Sequence, residues 1–194
     1  MRAFAVTTVV GLGVVLGACG ADRTGGPTGA PATVVVRAPA VTLAAGRAAV
    51  TGAAKAVVTK GSIDLDTGEA DLTTEGEGRP GPFLVDPVLV LDLVAGAVNI
   101  ETYGGVQVQE ASAFRYQVDI DPDRALAAAP PNRRPRLAAA LPDRPFFADV
   151  FIDGAGRIRR VLLPIDLTEP RPMGRDKRVP DMLTVDFHDF PEEA

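Results

Sequence analysis

From Val57 onward the chain alternates apolar and polar positions with a period of two. Val57, Thr59, Ile63 and Leu65 share one parity, and Val58, Lys60, Ser62 and Asp64 the other, as in a half-buried strand. Asp66-Thr67-Gly68-Glu69 supplies turn chemistry, after which Ala70, Leu72 and Thr74 alternate with Asp71, Thr73 and Glu75, completing a hairpin. The clearest strand is ASAFRYQVDID, with Phe114, Tyr116, Val118 and Ile120 on one face and Arg115, Gln117 and Asp119 on the other. Val98 to Tyr103 and Val106 to Glu110 flank a Gly104-Gly105 turn signal. Downstream, FFADVFIDGAGRIRRVLLPIDL predicts two strands joined at Asp153 to Gly156, and Leu183, Val185 and Phe187 share a face in MLTVDFHDF. Seven or eight strands linked by short turns make an antiparallel meander the economical topology.

Two segments interrupt the sheet with helical signals. Asp86-Pro87 and Asp121-Pro122 each set a capping carboxylate before a proline at the first helical position, where a missing N–H costs nothing. The first opens PVLVLDLVAGA and the second PDRALAAA; the second stops before Pro130-Pro131 and resumes over Arg133 to Leu141. Pro87 to Ala97 is apolar on nearly all sides, with Asp92 the one polar interruption. A helix lying on a single sheet shows a stripe and a polar back. This segment is therefore either wholly enclosed, or packed on the sheet with its other side against an apolar ligand or a membrane.

The opening MRAFAVTTVVGLGVVLGAC has one positive charge, an apolar run and small residues before Cys19, the layout of a secretory signal peptide over residues 1–18. The run is too short and glycine-rich for a transmembrane span, which takes about 20 apolar residues. Cys19 is the only cysteine, so it closes no intrachain disulfide. Leu16-Gly17-Ala18-Cys19 resembles a bacterial lipobox, whose cysteine receives a diacylglyceryl group and becomes the first mature residue. Residues 19–39 then read as the lipidated cysteine and a flexible Gly/Pro/Thr/Ala tether, and residues 40–194 as one domain of ordinary length.

A net charge of −5 excludes the basic face that phosphate-backbone binding needs, so no nucleic-acid partner is expected. Asp66-Thr67-Gly68 matches the aspartic-protease triplet, but a single copy would need a dimer partner's carboxylate. Asp119, Asp121 and Asp123 lack the glycine and bidentate glutamate of a calcium loop. His188 is the only histidine; with no zinc set and no nucleophile pair, neither metal nor catalysis is expected, and no cofactor. Arg133, Arg134 and Arg136, and Arg171, Arg175, Lys177 and Arg178, form two basic clusters that read as solvated loops or as contacts for anionic lipid headgroups.

Taken together, the lipobox, GSIDLDTGEADL, YGGVQVQEASAFRYQVDIDPDRALA and DVFIDGAGRIRRVLLPIDL resemble the actinobacterial LppX/LprAFG lipoproteins, from about Val41 to Phe190. That resemblance implies an α+β fold: a curved antiparallel half-barrel of the LolA type, with helices covering its concave face. It further implies a non-catalytic, monomeric protein anchored through Cys19 on the outer face of the cytoplasmic membrane. Such a protein binds or transfers a lipid or lipoglycan whose acyl chains, palmitate included, fill an apolar cavity, with a membrane transporter as candidate partner. Strand parity and helix character nominate Ile63, Leu65, Leu72, Phe83, Leu89, Leu93, Phe114, Tyr116 and Val118 as its lining. One departure is that relatives carry further strands between the first hairpin and the first helix, where this chain runs from Glu75 through GEGRPGPFLVDP. The expected cavity is accordingly smaller or more open, and the alternative is a structural or sensory envelope protein whose cavity is filled by its own side chains.

Overall fold

The computed structural model describes residues 29–168 and 180–191. The leader, Cys19 and the basic cluster from Arg171 to Arg178 lie outside the described residues. Eight strands form one open, curved antiparallel sheet: β1 (Arg47–Ala54), β2 (Val57–Asp64), β3 (Ala70–Gly76), β4 (Ala97–Val108), β5 (Ala111–Ile120), β6 (Phe146–Asp153), β7 (Ile158–Pro164) and β8 (Met182–His188). Their order is β3-β2-β1-β8-β7-β6-β5-β4, so two meanders are joined where β8 pairs with β1. Among the described residues, five helices complete the α+β half-barrel: α1 (Pro31–Leu43), α2 (Pro82–Val85), α3 (Val88–Val94), α4 (Pro122–Ala128) and α5 (Arg134–Ala140).

The alternation read in the sequence sets the faces. Val118 and Ile120 of β5 point into the core while Arg115 and Gln117 lie on the opposite face, where both reach Asp149 of β6. Every residue of β6 is buried. On its outward face Asp149 pairs with Arg115 at 2.7 Å, Asp153 accepts from Arg157 and Arg159 at 3.0 and 2.7 Å, and Phe151 packs with Val108, Ala113 and Leu162. Buried carboxylates persist in a sheet only when so paired.

Three expectations need correction. Gly104-Gly105 is no turn: β4 runs continuously through it, with register shifts against β5 between Val98 and Glu101 and between Thr102 and Gly104. Such irregularities bend a strand and deepen sheet curvature; the actual turn lies at Gln109-Glu110. The tether does not extend to Pro39, because α1 starts at Pro31 and buries Val34, Val35, Ala38, Pro39 and Thr42. The 34/35/38/42 spacing is a helical stripe, hidden by β-branched residues and an internal proline. Finally, Pro87 is itself the N-cap of α3, so Asp86 stands one residue ahead of the cap position, with its carboxyl facing the Val88 amide. Asp121 does cap α4, accepting the amides of Asp123 and Arg124 at 3.0 and 3.2 Å.

All seven residues of α3 are buried because α1, α2, α4 and α5 ring it. Close approach to α4 depends on Gly96, where a Cβ would meet the amide nitrogen of Ala125 at 2.7 Å. Thr42 ties α1 to the sheet: its buried hydroxyl donates to the Ala38 carbonyl at 2.7 Å and accepts the Ile158 amide at 2.8 Å. Thr42→Val preserves shape but orphans that amide, so it should cost about 1–3 kcal/mol of unfolding free energy, measured by urea denaturation; a loss within error of zero would show that water reaches Ile158.

Candidate functional site

The two hairpin strands β1 and β2 end at Ala54 and Val57, opposite the segment that leaves β7 at Pro164. Between them, at this end of the half-barrel, a cavity of about 610 Å³ is walled by Ala54, Val57, Phe83, Leu84, Ala140, Leu167 and Leu183. Its wall thus draws on the sheet, on α2 and on the end of α5. The volume falls in the range of small-molecule sites, which are concave, mostly apolar and edged by a few polar groups.

Lys55, Glu77, Arg79 and Asp166 form that edge. Their charges balance. Lys55 lies 3.5 Å from Asp181, both largely exposed, an arrangement that contributes little to stability. Asp166 accepts the hydroxyl and amide of Thr168 at 2.6 and 2.9 Å, bonds that hold its carboxyl below the usual carboxylate range. Arg144 donates to the Thr168 carbonyl, fastening the same loop.

The segment from Glu77 to Val85 separates this cavity from a lateral groove of about 850 Å³ running beside β3, bordered by Gly68, Ala70, Arg79, Pro82, Leu89 and Arg136. Here Arg136 meets Asp86 at 2.6 Å. Burial raises the Asp86 carboxyl above its ordinary pKa, against the opposing pull of Arg136 and Arg133. At the opposite end of the sheet a third depression of about 670 Å³ is charged: Arg157 and Arg159 share Asp153 and lie 5.0 and 4.7 Å from the Phe190 ring. Of the three, the first has the most apolar lining.

Two of the nominated lining residues reach an opening: Phe83 borders the apolar cavity and Leu89 the lateral groove. Ile63, Leu65, Leu93, Tyr116 and Val118 belong to the packed core, Phe114 packs against it, and Leu72 is half-buried on β3. Parity placed them on the concave face without revealing which part of that face stays open. The walls of the apolar cavity come from strand ends, the Pro/Gly-rich segment 77–82 and the loop 164–168, which have no periodicity to read.

Other candidate chemistry resolves into structure. Asp64 accepts the amides of Asp66 and Thr67 and the Thr67 hydroxyl, which places Asp66-Thr67-Gly68 in the β2–β3 turn. His188 bonds Thr51 through Nε2 at 3.2 Å and Asp189 through Nδ1 at 3.0 Å. Arg133 is not a solvated or headgroup-facing cation; it is buried and binds Asp92 through two hydrogen bonds, Nε at 2.8 Å and Nη2 at 2.9 Å. Arg134 donates to the Ala129 carbonyl. Among the described residues no group of three or more His, Cys, Asp or Glu side chains converges as a metal site, and no helix is long and apolar enough to cross a membrane.

No protein-family model and no curated protein matches the sequence. Among solved structures, the lipoprotein LppX of Mycobacterium tuberculosis aligns with a TM-score of 0.46 at 12% identity, over 84% of this chain and 97% of its own. LprF from Mycobacterium bovis aligns with a TM-score of 0.50 at 10% identity, over 88% of this chain and 97% of its own. With eight antiparallel strands in one curved sheet and five helices among the described residues, the chain shares the fold of LprF.

Proposed function

We propose that this protein is an exported lipoprotein, anchored through Cys19 to the outer face of the cytoplasmic membrane, that binds an acyl-chain lipid in the cavity between α2, α5 and the ends of β1, β7 and β8. It carries the lipid without catalysis, taking it from or passing it to another envelope component. The observation behind this reading is the apolar cavity of about 610 Å³ at the end of the sheet. Its driving force is desolvation, at about 0.8 kcal/mol for each methylene buried. A dozen methylenes supply about 10 kcal/mol, comparable to the rigid-body freedom lost on binding, and each further methylene adds affinity.

The chain expressed without residues 1–18 should yield bound lipid on organic extraction and mass spectrometry, and should take up a fluorescent fatty-acyl probe. Gly81→Trp supplies the control. Gly81 borders the cavity, has an ordinary backbone at φ −71, and a Cβ there meets nothing within 4 Å. A ring at this position should leave the fold intact and weaken probe binding by at least about tenfold, the loss of about 1.4 kcal/mol. Repeated absence of lipid and probe from the unmodified chain would reject the carrier.

A second reading, a structural or sensory module with a filled interior, is favoured by one observation: Ile63, Leu93 and Val118 are all buried within the core. That reading expects no probe uptake and no effect of Gly81→Trp.

A further inference from the structure

We infer that the mouth of the apolar cavity is held away from the membrane that carries the anchor, so that the cavity exchanges lipid with a second lipid surface facing it from outside. This rests on the anchored-carrier reading above and names the partner of that same site: lipid in trans, not the protein's own bilayer.

The two ends of the sheet carry the argument. The cavity opens where β1 ends at Ala54, β2 begins at Val57, and Pro164 of β7 pairs with Met182 of β8. The chain enters the domain at the other end. Thr33, Val34 and Arg37 of α1 lie beside Gly154, Ala155 and Gly156 of the β6–β7 turn, and a Cβ on Gly29 would meet Val34 at 3.6 Å. Further along α1, Thr42 accepts the amide of Ile158, the first residue of β7. The point where the linker joins is therefore fixed at the β6–β7 turn, a full strand away from the mouth.

Length decides which way the mouth faces. From Gly156 through β7 to Pro164 is about 25 Å at the rise of a strand. Cys19 and Gly29 are ten residues apart, a separation that reaches at most about 33–36 Å and averages about 16–19 Å for an unconstrained Gly-rich chain. With the β6–β7 turn nearest the bilayer, that linker needs no stretching. Turning the domain over to set the mouth on the bilayer lifts Gly29 by a strand length and demands most of the linker's full reach. A linker asked to span more than its average length lowers the effective concentration of the module at its target.

The rim suits a brief apolar contact with the facing surface. Ile165 borders the cavity and is 38% exposed, and Lys55 and Arg79 against Glu77 and Asp166 leave the edge without net charge. Such an edge meets a lipid surface of either charge without being held by it.

The chain lacking residues 1–18 keeps Cys19 as its only thiol, so it couples there to a maleimide lipid in phosphatidylcholine vesicles. Pyrene-labelled phosphatidylcholine is placed in the same vesicles or in separate ones, and loading is read as loss of excimer emission. Inserting about twenty Gly/Ser residues after Cys19 should raise loading from the same vesicles at least about tenfold and change loading from separate vesicles by less than about threefold, because the span then falls within the linker's average length. Coupling through Lys55→Cys in a Cys19→Ala background anchors the exposed β1–β2 turn beside the mouth instead. That form should match or exceed the lengthened linker in loading from the same vesicles. Equal loading from the same vesicles with the native and lengthened linkers would overturn the inference while leaving the carrier reading standing. So would uptake by the uncoupled chain with none by the coupled chain from separate vesicles. No probe uptake and no extractable lipid in the uncoupled chain would reject both.

Discussion

Arg133→Met should be among the most destabilising single substitutions in the domain, costing about 3–5 kcal/mol. Arg133 and Asp92 are joined by hydrogen bonds of 2.8 and 2.9 Å, with side chains only 7% and 5% exposed. Removing the guanidinium leaves a carboxylate enclosed by the helices around α3, without water or partner. A typical domain holds only about 5–15 kcal/mol of stability in total, so the variant should sit near its unfolding threshold at physiological temperature. The pair itself is a different quantity. Replacing both partners, as Asp92→Leu with Arg133→Met, removes the charge that had to be compensated, and should recover most of the loss because apolar substitutes for a buried pair are often neutral or better. Denaturant titration of the two single variants and the double variant decides this. Single losses below about 1 kcal/mol would mean that water reaches the pair and that it behaves like a surface bridge.

Function is coupled to this pair through position. Arg133 precedes α5, and Ala140 at the far end of α5 forms part of the cavity wall. Losing the pair would loosen α5 against α3 before the sheet unfolds, so lipid uptake in Arg133→Met should fall at denaturant concentrations where β-structure persists.

This pair also marks how far the sequence could be read. Asp92 stood out as the polar interruption of an apolar helix and Arg133 as part of a basic cluster. The pairing of residues forty-one positions apart requires α5 to fold back onto α3, and no local pattern encodes that return. Strands were legible where the two faces differ in polarity, as with Phe114 to Ile120. β1 was not, since RAAVTGAA presents small residues to both faces; at its inward Gly52, Leu84 of α2 packs directly on the backbone and leaves no room for a side chain. α1 was missed because helix-disfavouring valines and Pro39 outweigh its stripe in any local score, whereas in the fold burial of that stripe decides. Of the nominated lining residues, Phe83 alone borders the apolar cavity. Openness is a property of what fails to meet across space, and the Gly/Pro segments that leave this gap carry no alternation that would announce it.

Cys19→Ala should transfer the protein almost entirely from the membrane fraction to the soluble fraction while leaving its melting temperature and its lipid uptake unchanged. The reasoning begins with what attachment requires. One acyl chain gives marginal, reversible binding, with an association constant of about 10⁴ M⁻¹, and stable anchoring takes at least a second chain. A diacylglyceryl group on the thiol supplies two, and no other cysteine in the sequence offers a replacement. Without the thiol, the remaining attractions are weak: the chain carries a net charge of −5, which disfavours anionic membranes, and the large apolar side chains exposed in the domain, such as Val85 and Ile165, are too few to hold it. The described core and cavity wall are built from residues of α1 onward, so the variant is expected to keep its fold. Fractionation of cells producing each form, followed by probe binding to the released protein, separates anchoring from carriage. Retention of Cys19→Ala in the membrane fraction would mean that residues 1–18 stay attached as an uncleaved anchor, and the lipid in the cavity would then be the only lipid the mature protein holds.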